Sequence, residues 1–271
     1  MSILLDDLSM SVIGSLSTAV SVLRNNPVIL LIGVFFILPG EISVLLDIYV
    51  SPLAQWLFIL ISLFVTPFLL GGLITMINEG LEGSTRLGSF VRGGKENYVS
   101  LLGATFLFVV LLMGVSFIGS LLMVFVGVIA AVAGAGLAGI VVGAVLLLAV
   151  LALLFLFIQF YDAAIVVSDA RAIESFSHSI GLVRDNFLSV VGFSIAFLVI
   201  TLLGQGPGMA LYLSAVEFTD TGETVLASES TLYLSVAVTL VIGTIAMAYA
   251  YTYFITYYRS LVDDPAAATI Q

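Results

Sequence analysis

Residues 99–161 read VSLLGATFLFVVLLMGVSFIGSLLMVFVGVIAAVAGAGLAGIVVGAVLLLAVLALLFLFIQFY and contain no Asp, Glu, Lys or Arg. A soluble helix needs a polar face toward water, and a soluble domain is about a quarter charged. A bilayer core about 30 Å thick is crossed by about 20 helical residues, so this stretch has room for two or three transmembrane helices. The run is continuously apolar and does not alternate, which argues against a membrane β-barrel. The rest of the chain agrees. It has 271 residues, 61% hydrophobic and 9% charged, with a mean hydropathy of +1.28. The expected fold class is an all-α integral membrane protein forming a single polytopic domain over residues 1–271.

Working outward, hydropathy predicts six transmembrane helices, at about 28–50, 52–78, 99–131, 138–164, 188–212 and 232–258. If the N-terminus is inside, the inside segments hold Arg24, Arg86, Arg92, Lys95, Arg171, Arg184 and Arg259, which are all seven basic residues. The outside loops hold only acids: Glu41, Asp47, Glu217, Asp220, Glu223 and Glu229. Basic residues bias loops toward the cytoplasm, so both termini are expected to be cytoplasmic and the protein to lie in the cell membrane. Three spans within 99–164 would send Arg171, Arg184 and Arg259 outside. Two spans are therefore expected, turning at the glycine cluster AVAGAGLAG (131–139).

A phrase recurs where three of these spans begin. SLSTAVSVLRNNP (15–27), RLGSFVRGGKENY (86–98) and SFSHSIGLVRDNF (175–187) align at Arg24, Lys95 and Arg184, and then at Asn26, Asn97 and Asn186. The arrangement predicted is three parallel repeats, each an interfacial helix followed by a transmembrane hairpin. The units are about 1–80, 81–165 and 166–262, with a short tail at 263–271. Parallel repeats imply a pseudo-symmetry axis along the membrane normal. Leu5, Leu8, Val12, Leu16, Ala19 and Leu23 recur at helical spacing in the first surface segment. Ile173, Phe176, Ile180 and Val183 do so in the third. Arg24, Lys95 and Arg184 are expected at headgroup depth as anchors to lipid phosphate. Asn26, Asn97 and Asn186 are expected to cap the spans that follow.

Net charge is −10 and the pI about 4.2, with a single lysine. An acidic surface poor in lysine suits a high-salt cytoplasm, so a halophilic archaeal source is expected. No basic face exists to neutralise phosphates, which disfavours nucleic acid as a partner. The absence of cysteine excludes disulfides and thiolate metal sites. The opening MSILLDDLSM has two acids and no base, unlike a signal peptide, so the N-terminus is expected to be retained.

No nucleophile motif, phosphate loop or metal-ligand spacing is present, so no catalytic residue, cofactor or metal is expected. Glu174 and His178 are four apart on one helix and read as a solvated pair. Asp162 and Asp169 read as helix-end solvation. Tyr251, Tyr253, Tyr257 and Tyr258 fall where an interfacial aromatic belt belongs. Gly139 and Gly143 form a small-xxx-small packing face. Two interruptions remain. Glu41 follows Pro39-Gly40 in the first span, and GQGPG (204–208) lies in the fifth. Related breaks in two repeats can mark a transport site. Otherwise Glu41 should lie in water at the outer surface, beside Asp47.

The stretches GGLITMINEGLEGSTRLGSFVRGGKENYVSLLG (71–103) and YDAAIVVSDARAIESFSHSIGLVRDNFLSVVGF (161–193) resemble a haloarchaeal-type multi-pass family. That family is similar to the membrane domain associated with glycerophosphodiester phosphodiesterases. The resemblance implies six spans and carries no phosphodiesterase chemistry. The expected function is non-enzymatic, with membrane lipids as partners or a role in a membrane assembly. A transporter or small-solute permease is the alternative, and Glu41 would then be its transport-site acid.

Overall fold

Proline, glycine and serine set the limits of the helices. The computed structural model describes residues 2–219 and 224–263, with side chains from residue 12 onward. Helix α1 (Ser2–Asn25) stops where Asn26 meets Pro27, and α2 (Val28–Tyr49) follows. The residue before a proline is biased away from helical geometry. Ser51 begins α3 (Pro52–Leu81) by accepting the Ala54 amide at 3.2 Å, with Pro52 at the first helical position, where its missing N–H costs nothing. Helix α4 (Leu87–Val132) turns into α5 (Gly136–Ile158) at Gly134, whose φ of +78° suits glycine. Next come α6 (Tyr161–Val167), α7 (Ala172–Asp185) and α8 (Phe187–Ala215). Strand β1 (Val216–Phe218) pairs antiparallel with β2 (Thr224–Leu226), Val216 opposite Leu226. The last span is α9 (Glu229–Val238), a π-helical turn (Thr239–Gly243) and α10 (Thr244–Val262).

Six helical segments are long and apolar enough to cross a membrane: 28–49, 52–81, 87–132, 136–167, 187–215 and 229–262. This is a multi-pass helical protein, and residues 99–164 form two spans, as the sequence predicts. At one end of the bundle Arg92 pairs with Glu79, while Arg259 reaches Asn78 at 2.8 Å and Glu82 at 3.5 Å. At the other end Tyr49 donates to Glu229 at 3.2 Å and stacks on Tyr233. Every basic residue belongs to the first end by chain order.

The core lies toward that basic end and is aromatic. Phe193 stacks on Tyr257 with ring centroids 4.2 Å apart, and Phe160 stacks on Phe254 at 5.4 Å. Tyr253, Tyr257 and Tyr258 are fully buried, so the expected interfacial belt is instead the centre of the bundle. Two of the three hydroxyls find partners there, whereas that of Tyr253 is buried without one among the described residues. Tyr257 donates to Ser189 at 2.8 Å, and Tyr258 lies 2.7 Å from the Ser168 hydroxyl. Elsewhere, Gly139 faces Ala130 and Gly143 faces Met123, so the small-xxx-small face packs α5 on α4. The apolar stretches of α4 and α5 are otherwise scarcely buried, as suits helices bathed in lipid.

Several expectations about the repeated phrase change. In the second copy there is no separate surface helix. Helix α4 runs unbroken for 46 residues, about 69 Å at 1.5 Å per residue, and Tyr98 offers the amide that Pro27 lacks. None of the three asparagines caps the span after it. Pro27 occupies the cap of α2, Asn97 lies inside α4, and Asn186 sits at the cap of α8 without a side-chain bond into it. Each amide instead donates to the carbonyl four residues earlier: Val22 at 3.1 Å, Gly93 at 3.0 Å and Leu182 at 3.1 Å. The three share one geometry, but it closes the preceding turn.

Asn26 does more. Buried, it also donates to the Gly83 carbonyl and accepts the Thr85 amide at 2.9 Å, tying α1 to the α3–α4 loop. Helix α1 is part of the bundle, with Ala19, Val22 and Leu23 buried and the Tyr249 hydroxyl donating to Leu16 at 3.2 Å. The side chains of Leu5 and Leu8 lie outside the described residues, as do Asp220, Glu223 and most of the tail. On α7 the buried face is Ser175, Phe176, Ser179 and Val183, whereas Ile173 and Ile180 are exposed.

Candidate functional site

The two sequence interruptions are not breaks. Helix α2 continues through Pro39 and α8 through Pro207. Glycine in GQGPG serves close approach. A side chain at Gly204 would meet Ala246, and one at Gly208 would meet Thr239. Gly204-x-x-x-Gly208 is thus a small-residue seam that brings α8 against the last span. Ser235 donates to the Gly208 carbonyl at 3.0 Å across it. The π-helical turn lies on the same seam, and such turns occur often at functional sites.

Continuity of α2 decides where Glu41 goes. It stands eight residues before the helix end at Tyr49, about 12 Å along the axis. There it is half-buried and lines a cavity of about 250 Å³ with Gln205, Tyr212, Ser235 and Thr239. Glu41 is thus partly rather than fully exposed. Among the described residues no base pairs with Glu41.

Two further cavities share wall residues with this one or with each other. Gln205 also lines a space of about 220 Å³ between α8 and α10, with Thr201, Phe197 and Tyr251. Phe197 and Tyr251 in turn line a third, of about 350 Å³, which holds Gln159, Tyr161 and Asp162. The three are separate spaces in a file beside α8, from Glu41 at one end to Asp162 at the other, each sharing a wall residue with the next.

Asp162 is the residue the sequence reading undervalued. Expected to solvate a helix end, it is only 6% exposed. The reason is the break between α5 and α6. Ser179 of α7 donates to the Phe157 carbonyl at 2.8 Å and accepts the Phe160 amide at 3.1 Å. It satisfies two groups that the broken helix leaves unpaired, and the turn carries Asp162 into the bundle. The Asp162 carboxylate accepts the Ala163 amide at 2.8 Å and has no basic partner among the described residues. The available signal was its setting: one acid with apolar sequence on both sides, FLFIQF before and AAIVV after.

The remaining candidates stay apart from this file. Arg24, Lys95 and Arg184 are exposed and form no ion pair among the described residues. His178 does not pair with Glu174. That carboxylate accepts the Arg171 backbone amide at 3.2 Å, and His178 Nδ1 lies 3.2 Å from the Tyr258 hydroxyl. Partial burial lowers the His178 pKa from its ordinary value. No group of three metal-ligating side chains occurs among the described residues.

No curated protein and no solved structure matches this chain. A family described as a domain of unknown function, DUF7847, matches residues 10–261. That span takes in α2 to α10, all three cavities and both acids, and the chain belongs to the DUF7847 family.

Proposed function

We propose that the protein is a non-enzymatic carrier of small solutes, with the file between Glu41 and Asp162 as its path. The observation that carries this reading is the position of Glu41. It lies within a span, lines a largely apolar cavity that also holds Gln205, Ser235 and Thr239, and has no base beside it among the described residues. Charge inside a bilayer costs several kcal/mol even when mitigated, and acids kept there commonly serve ion or substrate movement. Two such acids joined by shared cavity walls are more than packing requires. The distribution of basic residues supports cytoplasmic termini and a plasma-membrane location.

The test is uptake into vesicles reconstituted with the full chain. A panel of labelled probes would comprise methylammonium, choline, alanine and glycerol. Uptake of at least one above empty vesicles, reduced about tenfold or more by Glu41→Gln at unchanged protein content, supports the reading. Equal uptake by wild type, Glu41→Gln and empty vesicles across the panel refutes it.

A second reading has its own observation. Arg24, Lys95 and Arg184 are exposed and unpaired at equivalent points of the repeated phrase. Lipid-phosphate anchoring there would suit a lipid-interacting or assembly role, in line with the resemblance to membrane domains associated with glycerophosphodiester phosphodiesterases. Anchoring is also compatible with a carrier.

A further inference from the structure

We propose that the Asp162 cavity binds an organic ammonium ion, the quaternary or methylated amine class. The inference rests on the carrier reading for its biological sense and names the kind of solute the path would take.

The walls make the argument. Six aromatic residues, Phe108, Phe155, Tyr161, Phe197, Tyr251 and Phe254, line a half-open space of about 350 Å³ together with Leu70 and Ile158. Ring faces attract cations, most strongly where water is excluded, and aromatic cages are the usual receptors for methylated ammonium groups. Asp162 supplies the one formal charge. It is 6% exposed and meets no Lys or Arg among the described residues. The volume falls at the lower end of the range for small-molecule sites.

The same walls disfavour a bare metal ion. Hard cations need about six or more oxygen ligands. Apart from Asp162, the other side-chain oxygens on this cavity belong to Gln159, Tyr161 and Tyr251. The Gln159 amide is already engaged: its NH2 donates to the Leu156 carbonyl at 3.0 Å and lies 3.1 Å from the Ser194 hydroxyl, which in turn lies 3.3 Å from the amide oxygen. A large, weakly hydrated cation does not need a full oxygen shell, because ring faces and one carboxylate replace its water.

The rings are held in place from behind. Tyr161 stacks near-parallel on Phe176 at 5.2 Å and on Phe108 at 5.8 Å. Tyr251 is braced by Phe36 at 5.8 Å and Phe254 at 6.0 Å. A preorganised cage loses little on binding.

The test is binding of tetramethylammonium and choline to the purified full chain in detergent, by equilibrium dialysis of the labelled probe. The neutral isostere 3,3-dimethylbutan-1-ol and sodium serve as competitors. Saturable binding of the ammonium probes is expected, with both competitors at least about tenfold weaker. Asp162→Asn keeps the shape and an oxygen for the Ala163 amide, and should weaken binding about 30-fold, as a desolvated charge contact implies. Phe155 is partly exposed, so Phe155→Leu should fold normally and weaken binding severalfold, while Phe155→Tyr should preserve it.

No saturable binding, equal affinity for the neutral isostere, displacement by equimolar sodium, or unchanged affinity in Asp162→Asn would each overturn the assignment. If ammonium probes fail to bind while vesicles still take up another solute in a Glu41-dependent way, this inference falls and the carrier reading stands. If they bind but no probe crosses the membrane, the site stands and the carrier reading falls.

Discussion

Replacing Ser179 with alanine should be among the most damaging single-atom changes in this protein. The hydroxyl is the hinge pin of the α5–α6 break, donating to Phe157 at 2.8 Å and accepting from Phe160 at 3.1 Å. Alanine leaves a buried amide and a part-buried carbonyl without partners. An unsatisfied buried group costs about 1–3 kcal/mol, and the part-buried carbonyl adds less, so the loss should be near 2–4 kcal/mol. For chains of this size 1 kcal/mol moves Tm by roughly 2–4 °C, which predicts a fall of about 5–15 °C. The control is Ser175→Ala. That serine is equally buried on α7, but its hydroxyl only donates back to Ala172 three residues earlier. Such local bonds compete with the helix and add little, so about 1 kcal/mol or less is expected. Thermal unfolding of both variants in one detergent decides the matter. If Ser179→Ala unfolds with Ser175→Ala, or within about a degree of wild type, the hydroxyl does not hold the break, and the account of how Asp162 enters the bundle fails. The break also positions the proposed cage, so Ser179→Ala should weaken tetramethylammonium binding though the side chain does not line that cavity.

Three other predictions follow from the same geometry. Asn26→Ala should cost about 1–3 kcal/mol more than Asn97→Ala, because Asn26 also bonds Gly83 and Thr85 across the chain whereas Asn97 bonds only Gly93; equal Tm losses would refute the cross-tie. His178 has a folded pKa below its ordinary 6.5, so the folded state binds fewer protons than the unfolded one. Its contribution to stability is present above about pH 6.5 and is lost as pH falls through the lowered folded value. Between pH 7.5 and 5.5 the wild-type Tm should therefore drop more than that of His178→Gln, and parallel curves would remove the assignment. The chain has no cysteine, so single thiols at Ser84, Ala135 and Ser177 can be labelled without background. A membrane-impermeant reagent applied outside whole cells should reach only Ala135→Cys, and labelling at Ser177→Cys would reverse the orientation.

Six spans, and their boundaries to within a few residues except the start of the third, at Leu87 rather than near 99, were legible in the chain because bilayer thickness imposes a length on apolar runs, and length is a property of sequence alone. The turn at 131–139 was legible for a similar reason. Glycine marks the left-handed position that Gly134 occupies, and the basic residues favour an even number of crossings. The repeated phrase was visible too, since each copy precedes apolar sequence. The role of its asparagine was not, because an amide can bond forward as a cap or backward to the preceding turn. Which it does depends on whether the helix stops, as at Pro27, or runs on, as at Asn97.

The placement of both acids was decided only in three dimensions. Glu41 is on the surface if α2 ends at Pro39 and inside if it continues, and packing of neighbouring helices can stabilise either outcome. Asp162 is at a solvated end if α5 runs straight and in the core if it breaks. That choice rests on a hydroxyl supplied by Ser179, some twenty residues later in the chain. The tyrosines of α10 illustrate the same limit. An amphipathic ring suits an interface or a core equally well, and what chose the core was a serine within reach of each of two hydroxyls, Ser189 for Tyr257 and Ser168 for Tyr258. Composition determined that the chain enters the membrane. Long-range hydrogen bonds, which leave no local pattern, determined which polar groups it keeps inside.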